Sequence, residues 1–102
     1  FTKHINSRII KRNVNSDGYL DINHLPIKNP NNTQIGFFGD SYVEAIQVPL
    51  EETFFRVLQK KMTQNETIYA FGRSGLGPIH SFLTAKKYTP IYDLDIIVYV
   101  FR

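Results

Sequence analysis

From residue 34 onward the apolar positions fall into a regular succession of short runs and helical stripes. Ile35, Phe37 and Phe38 form a β-branched and aromatic run that breaks at Gly39, which predicts a buried strand over 34–38. Phe54, Val57, Leu58 and Met62 recur at helical spacing and predict a helix over 51–63. Glu51 and Glu52 stand in its first turn and Lys60 and Lys61 in its last, as the helix dipole favours. A second strand is expected at 67–71. The next helix is expected over 78–88, opened by Pro78, with Ile79, Phe82 and Leu83 as its apolar stripe and Lys86 and Lys87 near its end. Ile96 to Phe101 runs without a polar interruption, the signature of a strand covered on both faces, and predicts a third strand over 95–101. Strands alternating with helices in this way imply a parallel sheet with crossover helices, an α/β fold.

Residues 1–33 read differently. Asn13, Asn15, Ser16, Asp17-Gly18, Pro26 and Pro30-Asn31-Asn32 are turn formers spaced too closely for a long helix. The segment is expected to be an irregular lead-in, with short extended pieces around Tyr19 to Ile22, ahead of the regular part at 34–102. The chain does not begin with Met and stops just after an apolar run, so it is expected to be the N-terminal part of a longer protein, cut after its third strand.

Composition narrows the classes. A hydrophobic content of 42% with 14% aromatic residues supports a packed core and argues against disorder. No apolar stretch reaches membrane-spanning length. The absence of Cys removes disulfides, thiolate catalysis and Cys-based zinc sites but fits any compartment, so localisation stays open. The net charge of +3 comes from one end: residues 1–12 carry Lys3, Arg8, Lys11 and Arg12 with no acid, and the remainder is nearly balanced. That arm lacks interleaved aromatics and any helix-turn-helix pattern, so it reads as a solvated structural segment, with no nucleic-acid partner expected.

Two loops carry candidate chemistry. Gly39-Asp40-Ser41 follows the first strand of the regular part, a corner that exposes a hydroxyl and a backbone N–H at the carboxyl end of a sheet; the same tripeptide also serves as an ordinary turn or helix cap. Phe71 to Pro78 contains Gly72, Gly75 and Gly77, which let backbone N–H groups face a ligand or simply form a flexible turn. Its spacing, G-x-x-G-x-G, is not a dinucleotide fingerprint, and it lacks the Lys-Ser/Thr pair of a P-loop. In a parallel sheet both loops open on one edge, so a hydroxyl and a backbone donor can converge there.

These blocks resemble the SGNH, or GDSL-like, hydrolase family. Gly39-Asp40-Ser41, the following Tyr42, the stretch Val48-Pro49-Leu50-Glu51-Glu52-Thr53-Phe54 and Gly72-Arg73-Ser74-Gly75 occur in the family's order and spacing. The lead-in Asn15-Ser16-Asp17-Gly18-Tyr19 is similar to that of some esterase-like members, so the resemblance covers residues 13–102. It implies a flavodoxin-like three-layer α/β/α sandwich of which the first three strands are present. It also implies Ser41 as nucleophile, the N–H groups of Ser41 and Gly75 as oxyanion donors, and Gly39, Asp40 and Gly72 as support for the site, with Asp40 orienting the loop. The chain departs from the family at Ala70, where members usually carry Asn. The family's next Asn and its Asp-x-x-His pair are expected beyond Arg102.

Such a site would cleave an acyl ester of a small molecule or carbohydrate through an acyl-serine intermediate, without cofactor or metal. A serine hydroxyl needs a histidine base oriented by a third group, and none of His4, His24 and His80 matches the family's position, so each reads as a surface or loop histidine and the chain alone is expected to be inactive. Asp93 and Asp95 precede the third strand, on the wrong edge for the site. Tyr42, Val43 and Ile46 stand where they can line the mouth or pack, Glu44 where it can be polar mouth or solvated loop. Arg73 can meet an anionic group or lie on the surface. Asn31-Asn32-Thr33 and Asn65-Glu66-Thr67 fit glycosylation acceptors, a pattern that arises readily by chance. Two rival readings share these features: an O-acyltransferase that passes the acyl group to a sugar alcohol, and a non-catalytic α/β binding module that keeps the serine corner without a base.

Overall fold

The computed structural model describes residues 2–5, 8–24, 31–45, 48–62, 65–73, 75 and 77–100, with the backbone alone at 2–5, 8–11, 41 and 42. Two antiparallel strands, β1 (Thr2–Ile5) and β2 (Arg8–Lys11), form a hairpin within the segment expected to be irregular. The regular part follows as β3 (Thr33–Gly39), α1 (Ser41–Glu44), a 3-10 turn at Leu50–Glu52, α2 (Phe54–Lys61), β4 (Glu66–Gly72), α3 (Gly77–Tyr92) and β5 (Ile96–Val100). Its three strands are parallel in the order β4-β3-β5, so the fold is α/β. That is the order in which flavodoxin-like sheets begin.

Alternation along the strands divides the core in two. Ile68 and Ala70 face Val43 and Phe55, with Phe37, Leu58 and Met62 packed beside them. Phe38, Tyr69 and Phe71 face Ala85, Tyr88 and Tyr92, joined by Tyr19 from the lead-in. Helices thus cover both faces of the sheet. The aromatic layer is dense: Phe71 stacks on Phe38 and on Tyr88, both with ring centroids 4.8 Å apart.

Both helices turn a different face to the sheet from the one their apolar stripes predict. In α2, Phe55 and Arg56 are buried while Phe54 and Val57 are exposed. In α3 the inward face is Ser81, Thr84, Ala85, Tyr88 and Tyr92, and Ile79, Phe82 and Leu83 stand outside, Ile79 at 77% exposure. Large aromatics on β3 and β4 already fill the layer, so the first turns of α3 present small side chains to them. Nor is β5 covered on both faces: it borders β3 alone among the described strands, and Ile96, Ile97 and Tyr99 are exposed.

The lead-in is folded onto this sheet, with turns and bends at 16–21 in place of the extended pieces expected around Tyr19. Asn15 organises it. Its Oδ1 accepts the N–H groups of Asp17 and Tyr19 at 3.0 and 2.9 Å, and its own N–H donates to Tyr19 O at 2.7 Å. The outer edge of β4 is closed by side chains. Gln59 donates to Glu66 O and accepts from Ile68 N, both at 2.6 Å, Arg56 donates to Ile68 O at 2.5 Å, and Asp21 accepts from Ala70 N at 2.9 Å. An edge whose backbone groups are satisfied in this way offers little to an incoming strand.

Candidate active site

Parallel register sets the frame of the site. Gly39, which ends β3, pairs with Gly72 at the end of β4 and with Val100 at the end of β5, so three strand ends lie level on the carboxyl edge. Leaving β3, the chain turns at Asp40, whose carbonyl accepts the N–H groups of Val43 at 3.2 Å and Glu44 at 3.0 Å. That turn opens α1 and makes Ser41 its first residue. Asp40 therefore shapes the corner through its backbone. The helix ends at Ala45, a non-glycine residue with φ of 48°. Ala45 O and Val48 O accept hydrogen bonds from Arg12 Nη1 at 2.5 and 3.3 Å.

The loop after β4 is tied directly to this corner. Arg73 donates its backbone N–H to Gly39 O at 3.1 Å. A Cβ at Gly72 would overlap the backbone of Val43 and Glu44, so only glycine lets α1 lie against the end of β4. Gly75 is exposed with φ of 83°, a left-handed conformation, and α3 begins at Gly77. The fold thus brings the Ser41 corner and the loop bearing Gly75 to one edge of the sheet. Ser74, Leu76 and Ile46 lie outside the described residues.

Several expected contributors have other occupations. Arg73 turns toward the lead-in: its Nη2 donates to Gly18 O at 2.6 Å, and its guanidinium lies over the Tyr19 ring, 4.7 Å from the centroid. Val43 is 1% exposed and belongs to the core, not the mouth; Glu44 is half-buried and Tyr42 is the second residue of α1. Ala70 fills the apolar layer with Val43, Phe55 and Ile68, so its methyl is a packing element where the family carries an amide.

The histidines divide. His24 is not a surface residue: it is nearly closed to solvent, donates from Nε2 to Asp21 Oδ2 at 2.9 Å and packs on Tyr69 at a centroid distance of 4.2 Å. His80 lies in the first turn of α3, half-buried, and its Nε2 has no hydrogen-bond partner. His4 is on β1. Neither His24 nor His80 bonds to Ser41. Asp95, as expected, sits at the opposite edge, where its carboxylate accepts from Gln34 N at 2.8 Å.

A buried polar seam was missed by reading residue types singly. Asp21 Oδ1 stands 3.2 Å from Arg56 Nε, with both side chains inside. Arg12, expected in a solvated arm, is 1% exposed and also donates to Leu20 O at 2.8 Å. Burial lowers its pKa below the usual guanidinium value, opposed by Asp21, Glu44 and Glu51; Arg56 is lowered by burial and opposed by Asp21. The one available signal was Arg56 inside an apolar helical stripe.

Three clefts lie away from this edge. One of about 290 Å³ and one of about 460 Å³ open between the lead-in, Leu50, Glu51 and α2, and one of about 410 Å³ lies between α3 and β5. No group of three or more His, Asp or Glu side chains that could hold a metal occurs among the described residues. No helix of the described residues is long and apolar enough to cross a membrane. Comparison with protein-family models, curated proteins and solved structures finds no match to this chain.

Proposed function

We propose that the chain carries the nucleophile corner and oxyanion loop of an SGNH-like serine hydrolase acting on acyl esters. The observation that supports this reading is the level pairing of Gly39 with Gly72, bridged by the hydrogen bond from Arg73 N to Gly39 O, which sets Ser41 and the Gly75 loop on one carboxyl edge. Ser41 Oγ attacks the ester carbonyl, the N–H groups of Ser41 and Gly75 receive the developing oxyanion, the alcohol departs, and water releases the acyl group. Backbone donors of this kind contribute about 3 to 4 kcal/mol each to the transition state.

The reaction needs a base to take the Ser41 proton, and on this reading it is an Asp-oriented histidine outside these 102 residues. The 102 residues alone are then inactive. The test is turnover of a chromogenic acetate by the naturally occurring protein that contains this sequence. The reading expects hydrolysis that disappears in Ser41→Ala. Acyl transfer to an added sugar alcohol in place of water would move the assignment to an acyltransferase, and a protein without turnover would be a binding module.

A further inference from the structure

The lead-in touches both loops of the candidate site through arginines. Arg12 reaches forward from residue 12 to the carbonyls of Ala45 and Val48, just past α1, and also holds Leu20 O. From the other side, Arg73 reaches back to Gly18 O and covers Tyr19. Gly18 and Leu20 are two residues apart on one locked turn, closed by the hydrogen bonds from Asn15 N to Tyr19 O and from Gly18 N to Asn15 O at 2.7 and 3.0 Å. Tyr19 is buried against Phe71 and Tyr88, and Tyr92 OH donates to Asp17. A rigid turn anchored in the core therefore spans the segment after the Ser41 corner and the segment before Gly75.

We infer that residues 12–24 form a strap that fixes the spacing of the two site loops, with Arg73 and Arg12 as positioning residues. The inference rests on the serine-hydrolase reading for its effect on catalysis. Each loop on its own is weakly determined. Ala45 is in a left-handed conformation, and nothing lies within 4 Å of the place a Cβ would take on Gly75. An oxyanion donor displaced by about 1 Å loses most of its effect, so a hydroxyl and a donor on separate loops need a common anchor. Arginine suits that task, because its planar fork of donors holds several carbonyls at once while a lysine offers a single point.

The test uses Arg73→Gln, Arg73→Lys and Asn15→Ala in the naturally occurring protein, with chromogenic acetate turnover and amide hydrogen exchange at Gly75 as readouts. The strap expects kcat to fall about 10-fold or more in Arg73→Gln with KM within about twofold, partial recovery in Arg73→Lys, and faster exchange at Gly75. Asn15→Ala loosens the turn without touching either loop and should move both readouts the same way, which keeps the test open if Arg73→Gln does not fold. A raised KM at constant kcat would make Arg73 a substrate contact and overturn the strap, as would unchanged Gly75 exchange in both variants. Exchange needs no turnover, so a wild-type protein without Ser41-dependent activity would refute the hydrolase reading while Gly75 exchange still decides the strap.

Discussion

Asp21 Oδ1 lies 3.2 Å from Arg56 Nε with the carboxylate fully closed to solvent, and its Oδ2 takes hydrogen bonds from Ala70 N and His24 Nε2, each at 2.9 Å. One carboxylate therefore joins the lead-in, α2 and the outer edge of β4. Its removal in Asp21→Ala strands a buried guanidinium and an unpaired N–H, at a cost of about 3–5 kcal/mol. Urea unfolding measures this. The double variant Asp21→Leu with Arg56→Met should lose distinctly less, because it leaves no uncompensated charge; equal losses would place the energy in packing instead.

Gly72→Ala brings a methyl against the backbone of Val43 and Glu44. Relief requires α1 to move, at about 1–3 kcal/mol. Gly75→Ala meets no atom and is penalised only for its positive φ, by about 1 kcal/mol. Thermal unfolding of the two variants should separate them in that order.

How far the sequence can be read follows from which forces are local. Strands 33–39 and 66–72, the helix at 77–92 and the parallel order were legible because β-branched runs, Pro78 and alternation act over short distances. The buried faces of α2 and α3 were not. Phe54 and Ile79 are as apolar as any core residue, and only the aromatic layer formed by Phe38, Tyr69 and Phe71 decides that Ala85 and Ser81 face inward. The two glycine loops were legible as a pair through parallel topology, whereas Arg73 was not, since its partner Gly18 O is a backbone group 55 residues away and has no residue-type signature.

Burial raises the pKa of Tyr92, reinforced by its hydrogen bond to Asp17 and by that charge, and burial alone raises Tyr69. In the unfolded chain both phenols ionise near their ordinary value of about 10. The stabilisation is fully present below that pH and is lost as pH rises beyond it, because only the unfolded chain releases the protons. Denaturant midpoints should hold to about pH 9.5 and then fall. Tyr92→Phe should flatten that fall and lower stability near neutrality by about 1–2 kcal/mol for the lost hydrogen bond. An unchanged alkaline slope would remove Tyr92 from the account.

The side chains of Ile96, Ile97 and Tyr99 stand exposed on a strand that borders only β3 among the described strands. A flat apolar edge without charge pairs with copies of itself. The 102-residue chain should therefore self-associate and bind a hydrophobic dye, and Ile97→Lys should reduce both in light scattering and fluorescence. A monodisperse wild-type chain at high concentration would contradict this.

The central claim is that Ser41, at the corner set by Gly39 and Asp40, is a nucleophile. The direct measurement is kcat/KM for a short chromogenic ester with the naturally occurring protein and its Ser41→Ala variant, folding being checked by circular dichroism. A nucleophile acting as a unit with its base predicts a loss of at least about four orders of magnitude with the fold intact. Turnover unchanged in Ser41→Ala would contradict the account.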